Sequence, residues 1–172
     1  MKSDIFRHLA AGLAAGFVAS AALAGQPVPV MLQAIEHQPA QLEVIDGTGA
    51  RLSFAPSDLE TLPTYQMVTK TSWREAPAQF EGVLLSDLLR ETGLYDVPAI
   101  QVTAENDYTT IIPRAAWQEI PILVATRVDG EAHTRRARGP IQFVIDMEIY
   151  ETSEFAREEY MVWMASRLEA AN

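Results

Sequence analysis

One stretch of the sequence concentrates positive charge, because Arg135, Arg136 and Arg138 lie within four residues, just before Gly139-Pro140. Planar guanidinium groups bind phosphate or carboxylate groups in bidentate fashion, so this stretch indicates an anion-binding site. The alternative is a solvated loop that balances an acidic surface, since runs of charge usually face water. The residue types leave both interpretations open.

A polar turn, Glu105–Asp107, separates two segments of alternating apolar and polar residues. Alternation predicts strands, so we expect Asn106 and Asp107 to lie at the edge of a sheet, where side chains can reach a ligand. Two aromatic residues, Trp73 and Tyr108, are either stacking platforms for a ligand or parts of the core.

Several classes of chemistry lack their residues. The sequence has no cysteine, which excludes thiolate nucleophiles and thiolate metal ligands. Beyond the N-terminal segment, the histidines His37 and His133 are far apart and have no companion ligand at zinc-site spacing. The sequence has neither the G-x-S-x-G motif of hydrolases nor the glycine-rich motifs of nucleotide-binding folds. A formal net charge of −10 also argues against a nucleic-acid partner.

The N-terminus has the pattern of a secretory signal peptide. Lys2 and Arg7 precede the apolar run Leu9–Leu23, and Ala22 and Ala24 fit the small-x-small cleavage rule. We therefore expect a signal peptide at residues 1–24, an extended arm at residues 25–40 and one domain at residues 41–172. Export predicts a periplasmic location and a mature protein that does not itself span a membrane.

The domain is predicted to be α+β, with seven or eight short strands and two or three short helices. Asp46-Gly47 and Asp129-Gly130 are hairpin signals. The predicted strands are Leu42–Ile45, Arg51–Phe54, Tyr65–Thr71, Ile100–Ala104, Thr109–Ile112, Ile122–Val128 and Ile141–Ile145. We expect the core to include Leu42, Val44, Val83, Leu85, Leu88, Leu89, Ile100, Val102, Val124, Phe143 and Ile145.

The helices are predicted from their capping residues. Ser57 and Glu60 have the spacing of a capping box. In Phe80–Gly93, Ser86 is the expected N-cap and Gly93 the expected C-terminal residue. The other helical predictions are one turn at Arg114–Glu119 and, from residue propensity alone, residues 153–172. The segment from Trp73 to Pro77 is predicted to be a loop.

Several segments together resemble the sulfite-oxidase-type molybdopterin-binding domain family. The motif F-x-G-V-x-L-x-D-L-L starts at Phe80, and the resemblance extends from Leu42 to Leu168. The remaining matching segments are Trp73, Ala104–Tyr108, Ile112-Pro113, Asp129-Gly130, Arg138–Pro140 and Met161–Leu168. The resemblance implies the α+β sulfite-oxidase-type fold, with short mixed sheets. It also implies a strand from about Tyr160 in place of the helix that propensity predicts.

Enzymes of this family hold molybdenum through a pterin dithiolene and one cysteine thiolate. In this chain the corresponding segment is Met67–Trp73, where Thr69 takes the position of the cysteine and Thr71 is the next candidate. A threonine hydroxyl is a poor ligand for a soft metal. We therefore expect no bound molybdopterin, although the family suggests that cofactor.

The resemblance places a candidate binding face near Thr69, Trp73, Asn106, Asp107, Tyr108 and Arg138. The expected arrangement pairs Arg138 with Asp107 or with an anionic ligand, between walls formed by Trp73 and Tyr108. The function expected is a non-catalytic ligand-binding, accessory or sensory module for a membrane-bound signalling or redox partner. The alternative is a molybdopterin-dependent oxidoreductase that works without a cysteine ligand.

Overall fold

The computed structural model describes residues 25–171, so the expected signal peptide at residues 1–24 lies outside the described residues. The strands are β1 Val28–Pro29, β2 Leu42–Ile45, β3 Arg51–Phe54, β4 Thr64–Thr71, β5 Arg74–Leu84, β6 Ala99–Ala104, β7 Thr109–Pro113, β8 Leu123–Val128, β9 Glu131–Ala132, β10 Gln142–Val144 and β11 Ala165–Ala170. The α-helices are α1 Pro56–Leu59, α2 Leu85–Glu91, α3 Arg114–Glu119 and α4 Met147–Thr152. Two 3-10 helices lie at Arg135–Ala137 and Glu158–Tyr160.

The strands form two sheets. The first has the order β1-β4-β5-β8-β10, with β9 also paired to β8, and all of its neighbours are antiparallel. The second has the order β3-β2-β11-β6-β7 and is mixed, because β11 is parallel to β2 and antiparallel to β6. This arrangement confirms the α+β class predicted from the sequence. Within residues 25–171, no helix is long and apolar enough to cross a membrane.

One apolar cluster joins the two sheets and the helices between them. Helix α2 contributes Leu85, Leu88 and Leu89, which are all fully buried. The other eight residues expected in the core are also fully buried and belong to the same cluster. A smaller cluster on the first sheet contains Met67, Phe80 and four further residues. The apolar periodicity of the sequence therefore predicts the core correctly.

Both predicted N-terminal helix caps are wrong. Helix α2 begins at Leu85 rather than after Ser86, because the Leu85 amide donates to the Ile122 carbonyl at 2.8 Å and continues the pairing of β5 with β8. At α1 the Ala55 amide donates to the Asp58 carboxylate at 2.8 Å, which replaces the predicted partnership of Ser57 and Glu60.

Three other segments differ from expectation. Strand β5 begins at Arg74, because Thr71 and Arg74 pair across a tight turn where the sequence predicts a loop. Helix α4 was not predicted, and its N-cap Asp146 accepts hydrogen bonds from the amides of Glu148 and Ile149. The terminal strand β11 replaces the propensity-based helix but starts at Ala165, later than the resemblance implies, because it is defined by its pairing with β2 and β6.

The turns at Asp46 and Gly93 agree with prediction. Strands β2 and β3 form the expected hairpin, and Asp46 accepts hydrogen bonds from the amides of Thr48 and Ala50. The left-handed residue of that turn is Gly49, with a φ of 86°. Gly93 follows α2 with a φ of 69°, the conformation that commonly ends a helix at glycine.

Candidate functional site

Two tryptophans from distant parts of the chain meet at the centre of the candidate site. Trp73 lies in the turn between β4 and β5, and Trp163 lies just before β11. Their ring centroids are 5.8 Å apart, and the Arg138 guanidinium carbon lies 4.1 Å from the Trp163 centroid and 4.9 Å from that of Trp73. Cations are attracted to the faces of indole rings, so this stacking holds Arg138 in place.

The backbone around Arg138 is held in an uncommon conformation. Arg138 has a φ of 79° and Met164, next to Trp163, has a φ of 52°. Non-glycine residues seldom adopt these values, and such conformations persist only where surrounding contacts enforce them. Here the Met164 amide donates to the Arg138 carbonyl at 3.1 Å, and the Gly139 amide donates to the Thr134 carbonyl at 2.8 Å.

A basic cavity of about 280 Å³ lies beside Arg138. Its charged side chains are three arginines, of which Arg74 also forms an ion pair with Asp129 at 3.2 Å. The lining residues are Thr71, Trp73, Arg74, Phe80, His133, Arg136, Ala137, Arg138 and Gln142. Guanidinium groups that line a concave surface favour anions, and two of these three arginines, Arg136 and Arg138, belong to the arginine-rich stretch.

His133 forms the buried floor of the basic cavity and is only 2% exposed. Burial lowers its pKa, and the charge of Arg74 acts in the same direction, although the hydrogen bond with Gln142 opposes the shift. His133 Nε2 lies 2.8 Å from Gln142 Oε1, while the buried Nδ1 has no hydrogen-bond partner among the described residues. A side chain at residue 139 would collide with the imidazole, so Gly139 permits this packing.

A second cavity, of about 360 Å³, shares Trp73 with the basic cavity and has the opposite charge. We call it the aromatic cavity. Its lining residues are Trp73, Ala104, Asn106, Tyr108, Glu158, Glu159, Met161 and Trp163. The Tyr108 hydroxyl is 3.5 Å from the Glu159 carbonyl, which links the turn after β6 to the 3-10 helix that carries both glutamates.

The structure distributes the six predicted site residues unevenly. Trp73, Asn106 and Tyr108 line the aromatic cavity, and Arg138 lines the basic cavity beside Trp73. Thr69 is among the lining residues of neither cavity, whereas Thr71, the second candidate, lines the basic one.

Of the two partners expected for Arg138, the first, Asp107, is wrong, and the second, an anionic ligand, stays a prediction. Among residues 25–171, no carboxylate lies within 4 Å of the Arg138 guanidinium, which stacks on the two indoles instead. Asp107 is exposed in the turn before β7 and has a φ of 65°. The ion pair between these two segments joins Arg135 to Glu105, with two contacts of 2.9 and 2.8 Å.

Trp163 is a residue of the candidate site that was not predicted from the sequence. It belongs to the terminal segment that resembles the family, but residue type alone does not bring it to Trp73. The position is decided by β11 and by the Phe143 amide, which donates to the Val162 carbonyl at 2.7 Å. The only local signal was the tryptophan itself, in a segment that propensity assigns to a helix.

The residues near Thr69 do not fit the molybdenum centre that the fold implies. The chain has no thiolate, and Thr69 is only 4% exposed. Its hydroxyl oxygen accepts a hydrogen bond from the Met147 amide at 3.0 Å and donates one to the Lys70 carbonyl at 3.1 Å. An oxygen already used in this way is a poor ligand for a soft metal. Among residues 25–171, no three histidine or carboxylate side chains are grouped to hold a metal ion.

Comparisons with known proteins identify the fold. No family model matches the sequence, and no curated protein matches it. Among solved structures, the chain is similar to the sulfane dehydrogenase SoxCD from Paracoccus pantotrophus, with 15% identity and a TM-score of 0.57. The similarity covers 80% of this chain but only 39% of that one, so this chain corresponds to less than half of its neighbour. The described residues therefore have a sulfite-oxidase-type, molybdopterin-oxidoreductase-like α+β fold.

Proposed function

We propose that this chain is a non-catalytic binding module that is exported to the periplasm and captures a small anion in the basic cavity. The observation that carries the proposal is the state of Arg138. Its guanidinium is stacked on two indoles, and no carboxylate among the described residues lies within 4 Å of it.

Stacking is the reason that Arg138 suits an anion. A guanidinium whose carbon lies over aromatic rings makes that contact without using its N–H donors, which can then bind an oxyanion. Arg136 and Arg74 line the same cavity, and Arg136 also has no carboxylate within 4 Å among residues 25–171. The protein as a whole has a net charge of −10, so a local excess of arginine is a specific feature of this cavity.

The choice of a binding module over an oxidoreductase follows from the chemistry at Thr69. Its hydroxyl is already hydrogen-bonded to two backbone groups and cannot replace a thiolate. The proposed role is therefore accessory or sensory, with a membrane-bound signalling or redox protein as the partner.

Anion titrations test the binding role. Trp73 lines the basic cavity and Trp163 contacts Arg138, so intrinsic fluorescence should respond to sulfate or phosphate at constant ionic strength. Hydrogen bonds to charged groups contribute about 1.5–3 kcal/mol, so Arg138→Ala should weaken the anion by about 10- to 100-fold. Arg51→Ala is the matched control, because Arg51 is exposed and pairs with Glu43 on the second sheet. Equal affinities in the two variants, or no response in the unchanged protein, would exclude this site.

Metal analysis tests the absence of catalysis. Protein purified from cells with an active pterin pathway should contain far less than one molybdenum atom per chain. Near-stoichiometric molybdenum with pterin would overturn the proposal and support the alternative, a molybdopterin-dependent oxidoreductase that works without a cysteine ligand.

Intact mass tests export. The mature protein from the periplasm should begin at Gly25, because Ala22 and Ala24 provide the cleavage pattern. Recovery of the protein with residues 1–24 attached would contradict the proposed processing.

A further inference from the structure

From the aromatic cavity we infer a second binding site, specific for the quaternary ammonium group of a small molecule. The site is separate from the basic cavity and shares only Trp73 with it. It goes beyond the proposed anion-binding role, and each of the two sites can fail without the other.

The walls of the aromatic cavity include three aromatic side chains. Trp73, Trp163 and Tyr108 line one concave surface of about 360 Å³, a volume at the lower end of those found for small-molecule sites. Recognition of quaternary ammonium groups commonly uses several aromatic faces around the cation, because the ring quadrupole attracts positive charge without a hydrogen bond. The two indoles already contact one cation, because the Arg138 guanidinium carbon lies 4.1 Å from the Trp163 centroid and 4.9 Å from the Trp73 centroid.

The charged side chains that line the aromatic cavity are both acidic. Glu158 and Glu159 line the aromatic cavity, and neither forms an ion pair with a described residue. Arg138 lines the basic cavity and is not among the lining residues of the aromatic one, although its guanidinium carbon lies 4.1 Å from the Trp163 centroid. An apolar pocket with acidic side chains at its wall favours a cation over a neutral ligand of the same shape.

Hydrogen bonds to backbone groups connect the walls of the aromatic cavity. Tyr108 is 43% exposed, yet its hydroxyl reaches the Glu159 carbonyl at 3.5 Å, and its amide donates to Asn106 Oδ1 at 3.3 Å. On either side, Asp107 and Met164 have positive φ angles, and the Glu105 amide donates to the Met164 carbonyl at 2.8 Å. The walls of the cavity are thus positioned before any ligand arrives, which lowers the entropic cost of binding.

Calorimetric titration with choline tests the inference, and 3,3-dimethyl-1-butanol, a neutral molecule of the same shape, is the ligand control. We expect choline to bind at least about tenfold more tightly than the neutral analogue, since cation–π contacts and nearby carboxylates both require the charge. Equal affinity for choline and the neutral analogue would show that the cavity binds apolar groups without regard to charge, and it would overturn the inference. Undetectable choline binding would also overturn it.

Variants assign the binding to this cavity. The double variant Glu158→Gln/Glu159→Gln keeps the shape and removes both charges, and it should weaken choline at least about tenfold. Glu151→Gln/Glu154→Gln is the matched control, because those glutamates are exposed in the preceding segment and are not among the lining residues. Tyr108→Leu removes one aromatic wall at an exposed position and should also weaken choline. Unchanged affinity in the Glu158/Glu159 variant would refute the site.

Competition separates the two cavities. Saturating sulfate should leave choline affinity unchanged if the ammonium group occupies the aromatic cavity. Loss of choline binding when sulfate is added would show that both ligands use one site and would refute a separate ammonium site. Sulfate binding without choline binding would leave the anion-binding role intact and would reject this inference alone.

Discussion

Glu60→Ala removes one partner of an ion pair that is almost completely buried. The side chains of Glu60 and Arg127 are 9% and 4% exposed, and their two contacts are 2.6 and 2.9 Å long. The Thr126 hydroxyl donates to the same carboxylate at 2.6 Å, and Arg127 also donates to the Gln33 carbonyl at 2.8 Å. Glu60 therefore connects the end of α1, strand β8 and the N-terminal arm.

The expected loss follows from the burial of the guanidinium. Without Glu60, Arg127 keeps its bond to the Gln33 carbonyl and the more distant charge of Glu81, but it loses the one carboxylate among residues 25–171 that lies within 4 Å of it. Removing one partner of a buried pair commonly costs about 3–5 kcal/mol. In a domain of this size each kcal/mol lowers the melting temperature by roughly 2–4 °C, so we expect a decrease of about 6–20 °C.

Urea denaturation of the two variants Glu60→Ala and Glu43→Ala measures this loss against a matched control. Glu43 also pairs with an arginine, but its side chain and that of Arg51 are 36% and 67% exposed. Exposed pairs contribute about 0–1 kcal/mol, so the control should change the free energy of unfolding very little. Equal, small losses in the two variants would refute the reasoning that burial makes the Glu60 pair sensitive.

The same pair predicts a pH dependence. Burial alone would raise the pKa of Glu60, but the hydrogen bonds from Arg127 and Thr126 and the charges of His37 and Arg127 lower it below its ordinary value of 4.5. The unfolded chain then binds a proton before the folded chain does, so stability falls as the pH drops below about 4.5 and through the lower pKa of the folded state. Glu60→Gln should flatten this part of the curve of unfolding free energy against pH, and an unchanged slope would contradict the assignment.

Three further predictions concern the core and the floor of the basic cavity. Leu88→Ala should lower the free energy of unfolding by roughly 2–5 kcal/mol because Leu88 is fully buried, and a loss below about 0.5 kcal/mol would reject its place in the core. Gly82→Ala should lower the free energy of unfolding, measured in urea, by about 3 kcal/mol or more, because a Cβ there would collide with the Val124 backbone. A neutral effect would contradict the close approach of β5 and β8. Burial lowers the pKa of His133, so the free energy of unfolding should decline as the pH falls below 6.5, the ordinary pKa of histidine. His133→Gln should remove that decline. A variant that keeps the wild-type slope would exclude His133 as the source of the decline.

Much of the fold could be predicted from the sequence because its signals are local. Strands β2 and β3 have the predicted bounds, since alternation and the Asp46 turn act over a few residues. The core positions follow from the same alternation, which determines which side chains face inward. The absence of cysteine is also a property of the sequence alone, and it is the first reason not to expect a molybdenum centre.

The tertiary structure decided the points at which a residue chooses between a local and a distant partner. Glu60 is spaced to cap its own helix but pairs with Arg127 on β8, because a buried guanidinium requires an opposite charge. The terminal segment has helical propensity but forms β11, because pairing with two strands satisfies its backbone and buries Leu168.

The candidate site depends most on distant partners. The sequence indicated Trp73 and Arg138 but not Trp163. The Trp163 ring centroid lies 4.1 Å from the Arg138 guanidinium carbon because the end of the chain pairs with β6 and β2. Residue types determined that guanidinium and indole groups were present. Strand pairing determined that they meet, because contacts between residues far apart in sequence depend on chain topology and leave no local pattern.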